Sequence, residues 1–80
     1  SISDLSPLKN LKNLIDLDLD SNSISNINPL SNLTNLRKLH LSNNSISDLT
    51  PLQNLKNLKN LYYDKDKINY KNPINKLESI

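Results

Sequence analysis

The stretch Leu36-Arg37-Lys38-Leu39-His40-Leu41-Ser42-Asn43-Asn44 decides how this chain is read. Its leucines fall at spacings of three and then two, and an asparagine stands three places beyond the last leucine. The same arrangement occurs 22 residues earlier, in Leu14-Ile15-Asp16-Leu17-Asp18-Leu19-Asp20-Ser21-Asn22. It returns 22 residues later, in Leu58-Lys59-Asn60-Leu61-Tyr62-Tyr63-Asp64-Lys65-Asp66, with Tyr63 in a leucine place and Asp66 in the asparagine place. A fixed period of this length marks an array of stacked supersecondary units. Residues 1–22, 23–44 and 45–66 are three copies, and 67–80 is a fourth that stops early. The first two copies share 12 of 22 positions, and the leucines hold phase while polar positions drift. That is the mark of a packed repeat, not of a low-complexity segment.

Composition supports a linear stack. The chain has 80 residues, 35% of them hydrophobic, with no Phe, Trp, Met, Cys or Gly. A compact globule would be short of large side chains for its centre, whereas each turn of an array needs only leucines and isoleucines facing its neighbours. The 10 basic and 8 acidic residues are interspersed and leave a net charge of +2, so no basic patch for nucleic acid stands out. No apolar run reaches membrane-spanning length. Without cysteine there is no disulfide framework, and with His40 as the single histidine there is little material for zinc or a nucleophilic triad. Asp16, Asp18 and Asp20 hint at calcium. However, Ser21 and Ile27 stand where a calcium loop needs glycine and glutamate. Along a strand these carboxylates would also sit roughly 6.6 Å apart. We expect no catalytic residue, metal or cofactor.

Two local signals recur in every copy. Leu17-Asp18-Leu19, Leu39-His40-Leu41 and Leu61-Tyr62-Tyr63 alternate inward and outward, as short strands do. Joined by crossovers, such strands would lie parallel. Ser6, Asn28, Thr50 and Asn72 each precede a proline (Pro7, Pro29, Pro51, Pro73), which predicts helix N-caps followed by proline at the first helical position. Only six to seven residues separate each proline from the next strand, so each crossover should hold one or two turns of 3₁₀ or α-helix. Asn22 and Asn44 should close each strand by pairing with backbone groups of the bend and the next coil. Asp66 cannot donate when ionised and predicts a weaker bend. With no glycine, asparagines should supply any left-handed bends. In the fourth copy Lys71 and Tyr70 break the pattern while Ile74, Leu77 and Ile80 keep it. The first copy begins mid-repeat with Ile2 uncovered. Neither end carries a dedicated cap, so we expect a single array, 1–80, drawn from a longer one.

The pattern L-x-x-L-x-L-x-x-N-x-I resembles a leucine-rich repeat over essentially the whole chain. Ile24-Ser25-Asn26-Ile27-Asn28-Pro29-Leu30 and Ile46-Ser47-Asp48-Leu49-Thr50-Pro51-Leu52 are similar to the I-x-D-I-x-P-L segment of bacterial internalin-type repeats, also 22 residues long. The resemblance implies a right-handed solenoid with a concave parallel β-sheet and 3₁₀ or short helical turns on the convex side. It further implies a surface-attached or secreted bacterial protein that grips a partner protein in its concavity.

On such a sheet the residues between the inward leucines form outward columns. Asp18, His40 and Tyr62 make one; Asp16, Lys38 and Asn60 a second; Asp20, Ser42 and Asp64 a third; and Ile15, Arg37 and Lys59 lie at the edge. Aromatic and Arg side chains dominate protein interfaces. The expected contact residues are therefore Tyr62, His40 and Arg37, supported by Lys38, Asp18, Asp16 and Asn60. Asp16 should face Lys38, and Asp18 His40, across the ladder. The leading expectation is a non-catalytic protein-binding module. An architectural spacer, whose face carries only solvated charges, is the alternative, and an intracellular regulatory scaffold comes third.

Overall fold

The computed structural model describes residues 2–68; the expectations for Tyr70, Lys71, Asn72, Pro73, Ile74, Leu77 and Ile80 lie outside them. Among the described residues the chain alternates 3₁₀ turns and strands. Ser6–Leu8 precedes β1 (Asp16–Asp18), Asn28–Leu30 precedes β2 (Lys38–His40), and Thr50–Leu52 precedes β3 (Asn60–Tyr62), after which comes a further turn, Lys65–Lys67. The strands form one parallel sheet in the order β1-β2-β3. Asp16 pairs with Lys38 and Lys38 with Asn60; Leu17 pairs with Leu39 and Leu39 with Leu61; Asp18 pairs with His40 and His40 with Tyr62. The parallel sheet and the columns expected from the 22-residue period are therefore present. Regular pairing covers three residues per strand, and single hydrogen bonds prolong it on both sides. The Arg37 N–H donates to the Ile15 carbonyl (2.8 Å), and those of Leu19 and Ser21 donate to the carbonyls of His40 and Ser42 (2.8 Å each).

The outer side of each coil is built by a leucine every third residue. In the second copy the Leu30 N–H donates to the Ile27 carbonyl, that of Leu33 to Leu30, and that of Leu36 to Leu33, at 2.9–3.1 Å. The series Leu5-Leu8-Leu11-Leu14 and Leu49-Leu52-Leu55-Leu58 do the same. With a three-residue repeat, consecutive 3₁₀-type turns eclipse their side chains, so one spacing both closes the backbone bonds and aims every leucine inward. Ile24, Ile27, Leu30, Leu33, Leu36, Leu39 and Leu41 of the second copy are all fully buried. The first copy is less buried. Leu11 is 47% exposed and Ile2 50%, while Leu8, Leu14 and Leu17 pack at the core's margin. Tyr63, in its leucine place, also packs there.

The turn starts correct one expectation. Ser6, Asn28 and Thr50 are not capping acceptors: the residues before them, Leu5, Ile27 and Leu49, hold the cap position, and no side chain bonds there. Instead the backbone N–H groups of Ser6, Asn28 and Thr50 donate to Oδ1 of Asp4, Asn26 and Asp48, two residues earlier, at 2.9–3.0 Å. These are Asx turns. The hydroxyls of Ser6 and Thr50 donate to the same oxygens. The Asp4 carboxyl is held below the usual range by the Ser6 backbone and then its hydroxyl; that of Asp48 is lowered by the Thr50 hydroxyl and then its backbone. Proline keeps its place within the turn's first two residues.

The asparagines pair with the backbone of their own bends as expected, but they reach the other neighbouring coil. Asn44 is 2% exposed and ties its coil to the preceding one, not the next. Its Oδ1 accepts the Ile24 N–H (3.0 Å), and its Nδ2 donates to the carbonyls of Leu19, Leu41 and Ser42 (2.9–3.2 Å). Asn22 likewise accepts the Ile2 N–H and donates to Leu19 and Asp20. Left-handed backbone occurs at Ser21 (φ 60°) and Asn43 (φ 58°), so serine takes one of the bends assigned to asparagine. In the third copy the bend is replaced by the Lys65–Lys67 turn, with Asp66 exposed. There Lys67 Nζ donates to the Asn44 carbonyl (2.6 Å) and lies 3.4 Å from Asp64.

Candidate functional site on the open face of the sheet

Because β1, β2 and β3 turn Leu17, Leu39 and Leu61 toward the core, the residues on either side point outward. Asp16, Asp18, Lys38, His40, Asn60 and Tyr62 therefore share one face, partly or fully exposed. Register brings the expected columns together, and within them the His40 and Tyr62 rings stack, with centroids 4.3 Å apart and planes 8° from parallel. Adjacent strands lie about 4.8 Å apart, so stacking of successive rings follows from the ladder itself.

His40 does not pair simply with the residue opposite. Its Nε2 lies 4.0 Å from Asp16 Oδ1 and its Nδ1 3.8 Å from Asp20 Oδ2, so the ring is flanked by the acids diagonal to it. Among the described residues no Asp16–Lys38 ion pair accompanies their register. Asp20, expected in the third outward column but not among the contact residues, belongs to this cluster. The clue was available: on a strand Asp20 shares the face of Asp18, and an imidazole with two nitrogens can address both diagonal neighbours. Asp18 and Asp20 are also closer at their tips than their backbone spacing suggests. One ligand atom from each of Asp18, Asp20 and His40 lies within 4.8 Å of the others. The Asp18 carboxylate turns along the strand to accept the Asp20 N–H (3.0 Å), which shortens the gap.

Arg37 stands apart from this cluster. It lines an open groove of about 310 Å³ at the start of the strands, together with Ile15 and a column of asparagines, Asn13, Asn35 and Asn57. Asn35 Nδ2 donates to the Lys12 carbonyl (2.8 Å) and Asn57 Nδ2 to that of Thr34 (3.0 Å), so this column is a second stitch between coils. Its 22-residue recurrence is visible in the sequence as Asn13, Asn35 and Asn57. The exposed Ile15 (55%) supplies the groove's apolar wall.

No helix among the described residues is long and apolar enough to cross a membrane. The sequence profile for leucine-rich repeats (two copies) matches residues 34–80, and the chain belongs to the leucine-rich repeat family. Its repeats are of the internalin type. Internalin C2 from Listeria monocytogenes superposes with a TM-score of 0.77 at 52% identity, over 79% of this chain and 28% of that one. A second Listeria monocytogenes internalin (inlF) superposes with a TM-score of 0.75 at 48% identity, over 76% of this chain and 18% of that one. The chain thus spans less than a third of either internalin. No curated protein sequence matches it.

Proposed function

We propose that the chain is a non-catalytic protein-binding module of a bacterial surface or secreted leucine-rich repeat protein, and that its partner docks on the open face of the sheet. The observation that carries this reading is the His40–Tyr62 stack, half-buried and flanked by Asp16, Asp18 and Asp20, on a face from which the leucines have been withdrawn. A rigid aromatic platform ringed by charge is the composition of an interface centre. Arg37 and Lys38 extend it along the strand starts, and Asn60 continues it on β3. The spacer alternative draws on one observation, the closeness of His40 to Asp16 and Asp20, which gives these side chains polar neighbours within the face itself.

Site-specific photo-cross-linking separates the two. A photoreactive side chain at position 62, on the open face, should capture a discrete protein from a mixture of cell-surface proteins, whereas one at the exposed Gln53, on the turn side, should not. Equal yields at both positions would leave the spacer reading in place.

A further inference from the structure

We propose that Asp18, Asp20 and His40, on the same face as the proposed docking surface, form a binding site for a borderline divalent ion of the zinc class, argued from ligand geometry and not from the partner. Three features set this cluster apart from scattered surface acids. It contains an imidazole, the preferred nitrogen ligand of zinc, copper and nickel. That ring is held in plane by the Tyr62 stack. Both carboxylates are anchored through one oxygen each, Asp18 Oδ1 by the Asp20 N–H (3.0 Å) and Asp20 Oδ1 by the Ser42 N–H (2.7 Å). Each therefore keeps its second oxygen for a ligand.

The geometry is close to what such an ion requires. Bonds of about 2.0–2.1 Å in a tetrahedron place donor atoms about 3.3–3.4 Å apart. His40 Nδ1 and Asp20 Oδ2 stand 3.8 Å apart, and all three residues offer atoms within 4.8 Å of one another. Small side-chain rotations close the difference. Asp16 Oδ1 lies 4.0 Å from Nε2, on the side where a carboxylate stands behind a zinc-bound histidine, and would have to move closer to accept the other ring N–H. Two carboxylate oxygens and one nitrogen suit zinc better than calcium, which takes six to eight oxygens. Three protein ligands leave a coordination position open.

The test is calorimetric titration of the full chain, without a histidine tag, with ZnCl₂ in a non-chelating buffer, followed in parallel by tyrosine fluorescence. One ion should bind per chain and perturb the emission of Tyr62. His40→Ala should weaken binding by at least about 100-fold, and Asp16→Asn by about 10-fold. Asp20→Asn keeps an acceptor for the Ser42 N–H, so it should lose zinc affinity with an unchanged circular dichroism spectrum. Absence of saturable binding would overturn the proposal. So would zinc affinity that His40→Ala leaves intact, or CaCl₂ binding as tightly as ZnCl₂; the first means scattered acids hold the ion, the second an all-oxygen site.

Discussion

Asn22 and Asn44 hold equivalent places, yet their side chains should not weigh equally in stability. Asn44 is buried and serves four backbone groups; Asn22 is half-buried and serves three. A buried polar group left without its partner costs about 1–3 kcal/mol. Asn44→Ala should therefore cost about 3 kcal/mol in urea unfolding and Asn22→Ala about 1 kcal/mol. Asn44→Asp should also destabilise, because it sets a carboxylate against three carbonyls. The Asx turns predict a pH dependence with a definite sign. Folding lowers the Asp4 and Asp48 carboxyls from their ordinary value of 3.8, so the unfolded chain binds protons first as pH falls. Their contribution is present above pH 3.8 and is lost as pH drops through the lowered values. Asn26 makes the same turn without a charge. Asp48→Asn should accordingly melt like the parent at pH 7 and show a shallower loss of stability below pH 4, measured by thermal melts across pH. At this scale the sequence was legible as to which residues recur, but not as to which way they reach. Amide and carboxylate oxygens can accept from the coil before or the coil after, and the period is identical for both. The period alone therefore does not show that Asn44 reaches back to Ile24 and Leu19, or that Asp4, Asn26 and Asp48 accept the N–H groups of the residues beside the prolines.

The leucine-every-three series makes each crossover a single device. Because one leucine both donates the turn's hydrogen bond and fills the core, its loss should be felt according to whether coils cover it on both sides. Leu30, fully buried, should cost about 3 kcal/mol on truncation to alanine. Leu11, 47% exposed and bonded in the same way, should cost about 1 kcal/mol or less in the same chemical denaturation experiment. Equal costs would mean that the turn bond, not burial, dominates. The strands were legible because alternation at spacing two is a strong signal next to spacing three. The residue at which the first two strands end was not, since it depends on the left-handed backbone of the bends at Ser21 and Asn43. The loss of the third bend was half legible: Asp66 marked it, but the contact of Lys67 with the Asn44 carbonyl depends on a cation three residues from Asp64 reaching the preceding coil.

At the scale of the whole molecule two sets of residues are separable. Leucines, isoleucines and Asn44 are spent on stacking one coil on the next, and the family and its internalin-type relatives share that frame. Lys38, His40, Asn60 and Tyr62 occupy the places the ladder leaves free. The columns were readable from the period alone. The stack of His40 on Tyr62, the entry of Asp20 and the separation of Arg37 into its own groove were not, because rotamers and diagonal reach decide them. The melting free energy of the Arg37→Ala/Tyr62→Ala double variant measures this division directly. If the face is free for a partner, the loss should be confined to the ring stack, about 1 kcal/mol, a shift of about 4–8 °C. A loss as large as that of Asn44→Ala would contradict it and make the open face part of the scaffold.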